Sequence, residues 1–142
     1  MKFRDFRGGV HPLASKNTME LATVDMGVPH KVVIPMIQHI GAPCQPLVKK
    51  GDNVKVGQVI GDSSAYVSAT IHSSVSGTVI SIDERIISAS KPVVCVEIKP
   101  DGLQELSEEV SPPLVESKES FLKAIKASGL TGLGGAGVPA HV

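Results

Sequence analysis

The fold is decided by one stretch, Val48-Lys49-Lys50-Gly51-Asp52-Asn53-Val54-Lys55-Val56-Gly57-Gln58-Val59-Ile60. Its two glycines stand where tight turns require them, and β-branched residues lie between and after them. Further along the chain, a second small-residue turn leads into Gly77-Thr78-Val79. This arrangement predicts a β-hairpin inside a module that is built from short strands.

Strand signals continue on both sides of this stretch. Runs rich in Val and Ile are separated by turn residues, and such spacing predicts a small barrel or sandwich. The run at 31–40 contains Pro35, which lacks a backbone donor and therefore places the run at a sheet edge or a break. The other strand-like runs are residues 47–48, 54–56, 59–60, 66–71, 77–82 and 93–98.

The character of the sequence changes along the chain and predicts four regions. Residues 1–30 have no sustained period and predict an irregular N-terminal arm, and residues 31–99 form the β module. Residues 100–116 contain Pro and Gly and predict a linker with a solvated acidic cluster. Residues 117–142 combine a short helix with a glycine-rich loop.

The helix prediction rests on an apolar stripe at helical spacing. Ser117 suits the N-cap position and Gly129 suits the C′ position that follows the last turn. The stripe consists of Phe121, Leu122, Ala124 and Ile125. We therefore expect a mainly β protein with one short amphipathic helix near its C-terminal end.

The β module resembles the biotinyl/lipoyl carrier fold, a barrel-sandwich hybrid. Carriers of that fold attach their swinging arm to a lysine at a hairpin tip, and the corresponding position here is Tyr66. Tyrosine cannot form the amide bond, and there is no lysine between Lys55 and Lys91. The sequence favours a structural copy of the fold used for packing or docking. An independent carrier domain remains the alternative.

Composition excludes several classes of function. The chain has 14 Lys and Arg against 14 Asp and Glu, so no net charge attracts nucleic acid or an anionic membrane. We expect no nucleic-acid partner and a cytoplasmic, soluble chain that is still able to dock onto a membrane protein. Neither Cys44 nor Cys95 belongs to a CxxC pair, so we predict no metal site. A site at His39 and Cys44 with further ligands is the competing hypothesis.

The C-terminal stretch from Gly129 to Val142 is rich in glycine. Such a loop lets backbone N–H groups approach a phosphate closely. Gly132, Gly134 and Gly137 fit GxGxxG, but here the pattern follows a helix, whereas the dinucleotide fingerprint follows a strand. A flexible loop and a nucleotide-binding loop both remain open. Because the chain stops inside this loop, we expect it to be the front part of a longer protein.

Several stretches together resemble the C subunit of the Rnf electron-transport complex. They are Phe6-Arg7-Gly8-Gly9-Val10-His11-Pro12, Ile34-Pro35-Met36-Ile37-Gln38-His39-Ile40-Gly41-Ala42-Pro43, residues 48–61, residues 73–79, and Gly132-Leu133-Gly134-Gly135-Ala136-Gly137-Val138-Pro139. The family includes a soluble relative associated with proline reductase, and the sequence does not separate the two.

The resemblance implies that the parent protein moves electrons between ferredoxin and NAD in a membrane-associated, ion-pumping complex. It implies FMN, NAD(H) and 4Fe-4S clusters in that parent, with ferredoxin and the other members of the complex as partners. A related loop in respiratory complex I contacts flavin and nicotinamide nucleotides, so the resemblance implies that residues 117–142 are the start of a truncated flavin- and NADH-binding domain. The matching residues here are Gly132, Gly134, Gly135, Ala136 and Gly137.

The loop also departs from its complex I relative. Leu133 stands where the relative has arginine, which removes a cationic phosphate contact. We therefore expect these 142 residues by themselves to contain no catalytic residue and to bind neither flavin nor a cluster stably.

Overall fold

The computed structural model describes residues 13–87 and 91–142. Within them the chain forms two antiparallel sheets and one helix, and the sheets have the strand orders β1-β7-β6-β3 and β2-β4-β5. The elements are β1 (Val32–Pro35), β2 (Gln45–Pro46), β3 (Asn53–Val54), β4 (Val59–Asp62), β5 (Ile71–His72), β6 (Gly77–Arg85), β7 (Val93–Pro100) and α1 (Lys118–Ala127).

One hydrophobic core joins the two sheets. The longest pairing is the antiparallel β6–β7 hairpin, whose register shifts at a bulge between Val79 and Ser81. Inward-facing side chains of both sheets and of their connections form a single buried cluster, as expected for stacked sheets. Its members are Ile34, Met36, Cys44, Val54, Ile60, Ile71, Val75, Val79, Val96 and Ile98.

The structure confirms the mainly β class and the short helix. Strands β6 and β7 cover the runs predicted at 77–82 and 93–98. Ser117 caps α1 by accepting a hydrogen bond from the Ser120 amide, and Gly129 has a φ of +71° just beyond the helix. Among the described residues, no helix is long and apolar enough to cross a bilayer.

The strand predicted at 66–71 is wrong except at its end, because only Ile71 and His72 pair as β5. Residues 63–70, called the tip below, have no regular structure. Backbone groups in the tip bond to groups outside any sheet ladder: the Ala42 amide donates to the Val67 carbonyl at 3.0 Å. Tertiary contacts thus override the β propensity of this segment.

The arm and the linker differ in their contacts. The described part of the arm, residues 13–30, contains no strand or helix and is largely exposed, while residues 1–12 lie outside the described residues. The acidic cluster of the linker is exposed, as predicted, but Glu105 also contacts the module. Glu105 pairs with Lys55 at 2.7 Å, and its carbonyl accepts the Val56 amide at 2.8 Å.

A buried carboxylate ties three strands together. Glu97, in the middle of β7, has a side chain only 8% exposed and pairs with Lys31 at 3.1 Å and with Arg85. Lys31 immediately precedes β1, and Arg85 ends β6. The Lys31 hydrogen bond and the Arg85 charge outweigh burial, so the pKa of Glu97 lies below its usual value.

We expect acid to weaken the fold through Glu97. Because its pKa is lower in the folded state, its contribution is complete above the usual value of 4.5 and is lost as the pH falls through the folded-state pKa. The pKa of Asp101 is also lowered, mainly by the hydrogen bond from the Ser76 hydroxyl, so acid weakens the fold through Asp101 as well.

The measurement is the free energy of unfolding in urea at a series of pH values. Glu97→Gln should be less stable than the wild type at neutral pH and should show a smaller loss between neutral pH and acid. Glu84→Gln, on the exposed part of β6, is the control and should keep the wild-type pH dependence. Equal pH profiles for the wild type and Glu97→Gln would contradict this account.

Candidate functional site

The tip contains the position where a carrier domain would have its lysine. Tyr66 stands there, with an exposed side chain. Two residues of the β module form hydrogen bonds with the tip backbone. The Ala69 amide donates to His39 Nε2 at 3.2 Å, and the Val67 carbonyl accepts the Ala42 amide. The tip is therefore fixed by the Gln38–Pro43 stretch, one of the stretches that carry the family resemblance.

The C-terminal segment, residues 126–142, lies against this tip. The ammonium group of Lys126 donates to the Ser63 carbonyl at 3.1 Å and to the Ala65 carbonyl at 2.9 Å. In return, the Thr70 amide approaches the Lys126 carbonyl at 3.5 Å. Hydrogen bonds from a charged donor are stronger than neutral ones, so Lys126 is the main polar contact at this end of the segment.

His141 makes the corresponding contact at the other end of the segment. Its ring is buried, and Nε2 lies 2.8 Å from the Tyr66 carbonyl. A carbonyl can only accept, so Nε2 carries the proton. The imidazole and the Tyr66 ring also pack edge to face, with centroids 5.6 Å apart. Nδ1 is buried and has no hydrogen-bond partner among the described residues.

The glycine loop is the turn of a small hairpin between these two contacts. The Gly132 amide donates to the Val138 carbonyl, and the Ala140 amide donates to the Leu130 carbonyl, each at 2.9 Å. The Ile40 amide donates to the Gly137 carbonyl at 3.1 Å, which joins the loop to the module. The predicted site residues are thus held together in one turn.

The fold requires only some of these glycines. Gly137 has a φ of +70°, and Gly129 has a φ of +71° and lies so close to the tip that an added Cβ would stand 2.3 Å from the Thr70 carbonyl oxygen. At Gly134 and Gly135, by contrast, φ is not in the left-handed region and an added Cβ would meet no atom within 4 Å. Their bare backbone faces open space, which suits close approach by a phosphate or a ring.

Two shallow pockets flank the loop. One, of about 200 Å³, lies between the loop and β5 and is lined by Gln38, Thr70, His72 and Thr131, among others. The other, of about 400 Å³, is lined by Gly132, Gly135, Ala136 and Gly137 of the predicted site. Neither lining includes a lysine, an arginine or a carboxylate, and the polar side chains that line the pockets are amide, hydroxyl and imidazole groups.

His39 and Cys44, the hypothetical metal ligands, do lie together, with Sγ 3.8 Å from Nε2. Because Nε2 accepts the Ala69 amide, the ring proton is on Nδ1, which donates to the Ile40 carbonyl at 3.0 Å. The Cys44 thiol donates to the Ala69 carbonyl at 3.2 Å, and burial raises its pKa. Among residues 13–87 and 91–142, no third His, Cys, Asp or Glu joins them, and both side chains are hydrogen-bonded to backbone groups.

Lys126 and His141 were not among the residues singled out from the sequence. Their partners are backbone carbonyls of a distant segment, and no side-chain motif records such a contact. The only sequence signal was that Lys126 falls outside the apolar stripe of the helix, which is equally true of solvent-exposed lysines.

We predict opposite outcomes for two glycine substitutions in the C-terminal segment. Gly129→Ala should lower the free energy of unfolding by about 2 kcal/mol, because it combines a positive φ with a clash against the Thr70 backbone. Gly134→Ala should change it by less than about 0.5 kcal/mol, because the added methyl meets no neighbour. Urea unfolding of both variants tests this, and equal destabilisation would show that the loop packs differently.

Comparison with known proteins gives the module a family. The family model described as the RnfC barrel sandwich hybrid domain matches residues 4–103. The chain is 40% identical over its full length to the C subunit of the Na⁺-translocating ferredoxin:NAD⁺ oxidoreductase complex of Acetobacterium woodii. It is 41% identical, over 98% of its length, to the C subunit of the proton-translocating ferredoxin:NAD⁺ oxidoreductase complex of Clostridium ljungdahlii.

A third relative, the C subunit of the ion-translocating oxidoreductase complex of Rhodobacter capsulatus, is 35% identical over 96% of the chain. The chain spans 33%, 31% and 27% of the lengths of these three relatives. The family match confirms the barrel-sandwich hybrid fold, and the relatives confirm the resemblance to the C subunit of the Rnf complex. This chain belongs to the RnfC barrel sandwich hybrid domain family.

Proposed function

We propose that this chain is the N-terminal structural and docking module of an electron-transfer subunit of the RnfC type. The whole subunit would move electrons between ferredoxin and NAD in an ion-translocating complex, as the names of the relatives describe for those proteins. The module would lie on the cytoplasmic side and reach the membrane only through partner subunits.

The docking role is supported by two features of the tip: it has no lysine for attachment, and its backbone carbonyls are bound by other parts of the chain. In a carrier domain this tip must be free and must hold a lysine. Here Tyr66 takes that position, and Lys126 and His141 bind the carbonyls around it. A tip without a lysine for attachment cannot carry a swinging arm, so the fold serves packing and docking.

The exposed arm supplies an apolar surface for a partner. Leu13, Val24 and Met26 are each more than 80% exposed. A turn at Asp25–Gly27 interrupts this apolar stretch: the Gly27 amide donates to the Asp25 carboxylate at 2.8 Å, and Gly27 has a φ of +70°. Exposed apolar residues gathered on one segment are typical of segments that bind another protein. We propose that the arm docks onto a neighbouring protein of the complex.

The glycine loop would contribute to the flavin and NADH site of the whole subunit. Gly134 and Gly135 are glycines that the local fold does not require, and their open backbone fits a phosphate or a flavin edge. Gly132, Ala136 and Gly137 would shape the turn around them. FMN, when bound, supplies hydride and single-electron chemistry, while the residues described here would bind and orient it.

The carrier alternative is tested by the intact mass of the whole protein purified from its native host. We expect the measured mass to equal the mass calculated for the unmodified protein. A lipoyl or biotinyl adduct on any lysine of this chain would overturn the docking role.

The arm is tested by assembly of the complex. Val24→Asp combined with Met26→Asp should reduce co-purification of the whole RnfC-type protein with its partner subunits, because two charges replace apolar contacts. The control, Ser15→Asp with Thr23→Asp, adds the same charge to the same arm at polar positions and should assemble normally. Normal assembly of the first variant would contradict docking through the arm.

A further inference from the structure

We infer that the tip is an anchor for the C-terminal segment, and that Lys126 and His141 are positioning residues that fix the glycine loop. The inference rests on the proposed function of the chain as a structural module and identifies the C-terminal segment as the partner of the tip backbone, while the Tyr66 side chain stays exposed. The attachment point that carriers of this fold use thus becomes an intramolecular binding surface.

The two contacts with the tip lie on opposite sides of the glycine loop. Lys126 binds the tip on the N-terminal side of the small hairpin, and His141 binds it on the C-terminal side. The loop lies between them, and Gly137 is bonded to the Ile40 amide. A loop with both stems attached to one rigid surface loses most of its freedom to move, so its amides keep fixed positions.

The apolar packing of helix α1 is weak. None of the residues of α1 is fully buried, and Phe121 is half exposed. The polar contacts of the segment, together with buried Pro139 and His141, therefore make most of its attachment to the barrel.

Lys126 provides the hydrogen-bond donor for two backbone carbonyls of the tip. Within the described residues, the Ser63 and Ala65 carbonyls accept from no donor except Lys126. One ammonium group thus satisfies two acceptors that the irregular backbone of the tip leaves without ladder partners. Lysine suits this position because its three donors can point to diverging carbonyls.

The experiment is hydrogen exchange of the intact chain, followed by mass spectrometry of peptides covering 130–138 and of peptides from β6 and β7. Lys126→Met and His141→Ala should each speed exchange in 130–138 by about tenfold, as expected for loss of one strong anchoring bond. Exchange in β6 and β7 should stay at the wild-type rate, because the barrel core does not depend on either residue.

Matched variants separate positioning from general destabilisation. Lys123→Met, at an exposed position of the same helix, should leave exchange unchanged. Lys126→Arg and His141→Gln keep a donor at the same place and should restore most of the protection. The pair of anchors at opposite ends keeps the test valid if one variant folds poorly.

Three outcomes would overturn the inference: unchanged exchange in both anchor variants, equal acceleration in β6 and β7, or no rescue by the conservative variants. A separate titration of FMN into the whole RnfC-type protein decides the proposed cofactor site. Failure of FMN to bind the wild-type protein would remove that site, while the exchange data would still decide whether the tip anchors the loop.

Discussion

The structure depends on one constraint: backbone polar groups that leave the sheets must find partners elsewhere. Residues 63–70 leave the ladder between β4 and β5, and several of their backbone amides and carbonyls bond to distant parts of the chain. His39, Ala42, Lys126 and His141 supply these partners. The tip therefore bonds to the Gln38–Pro43 stretch and to the C-terminal segment at the same time.

The sequence was sufficient for the parts of the fold that depend on local chemistry. Turn glycines and β-branched runs predicted β6 and β7, and the Ser117 and Gly129 signals predicted both ends of α1. The prediction at 66–71 failed because strand propensity is a weak preference of side chains for a pleated surface. At Val67 and Ala69 the backbone instead bonds to a loop amide and to an imidazole.

The candidate site shows a similar division. The glycine spacing identified the loop, and the structure adds which glycines the fold itself needs. Gly129 and Gly137 are required by left-handed backbone and by close neighbours, whereas Gly134 and Gly135 are not. Lys126 and His141 could not be predicted, because a lysine or histidine that binds a backbone carbonyl leaves no pattern in the residues around its partner.

The buried carboxylate of Glu97 has a consequence for strand register. Side chains alternate between the two faces of a strand, so a slip of β7 by one residue would turn Glu97 towards the apolar side now filled by Val96 and Ile98. A charge in that position would have neither Lys31 nor Arg85 as a partner, and an unpaired buried charge is strongly unfavourable. Glu97 therefore helps to set the register of β7, because it makes misaligned pairings of the valine-rich Val93–Pro100 strand unfavourable.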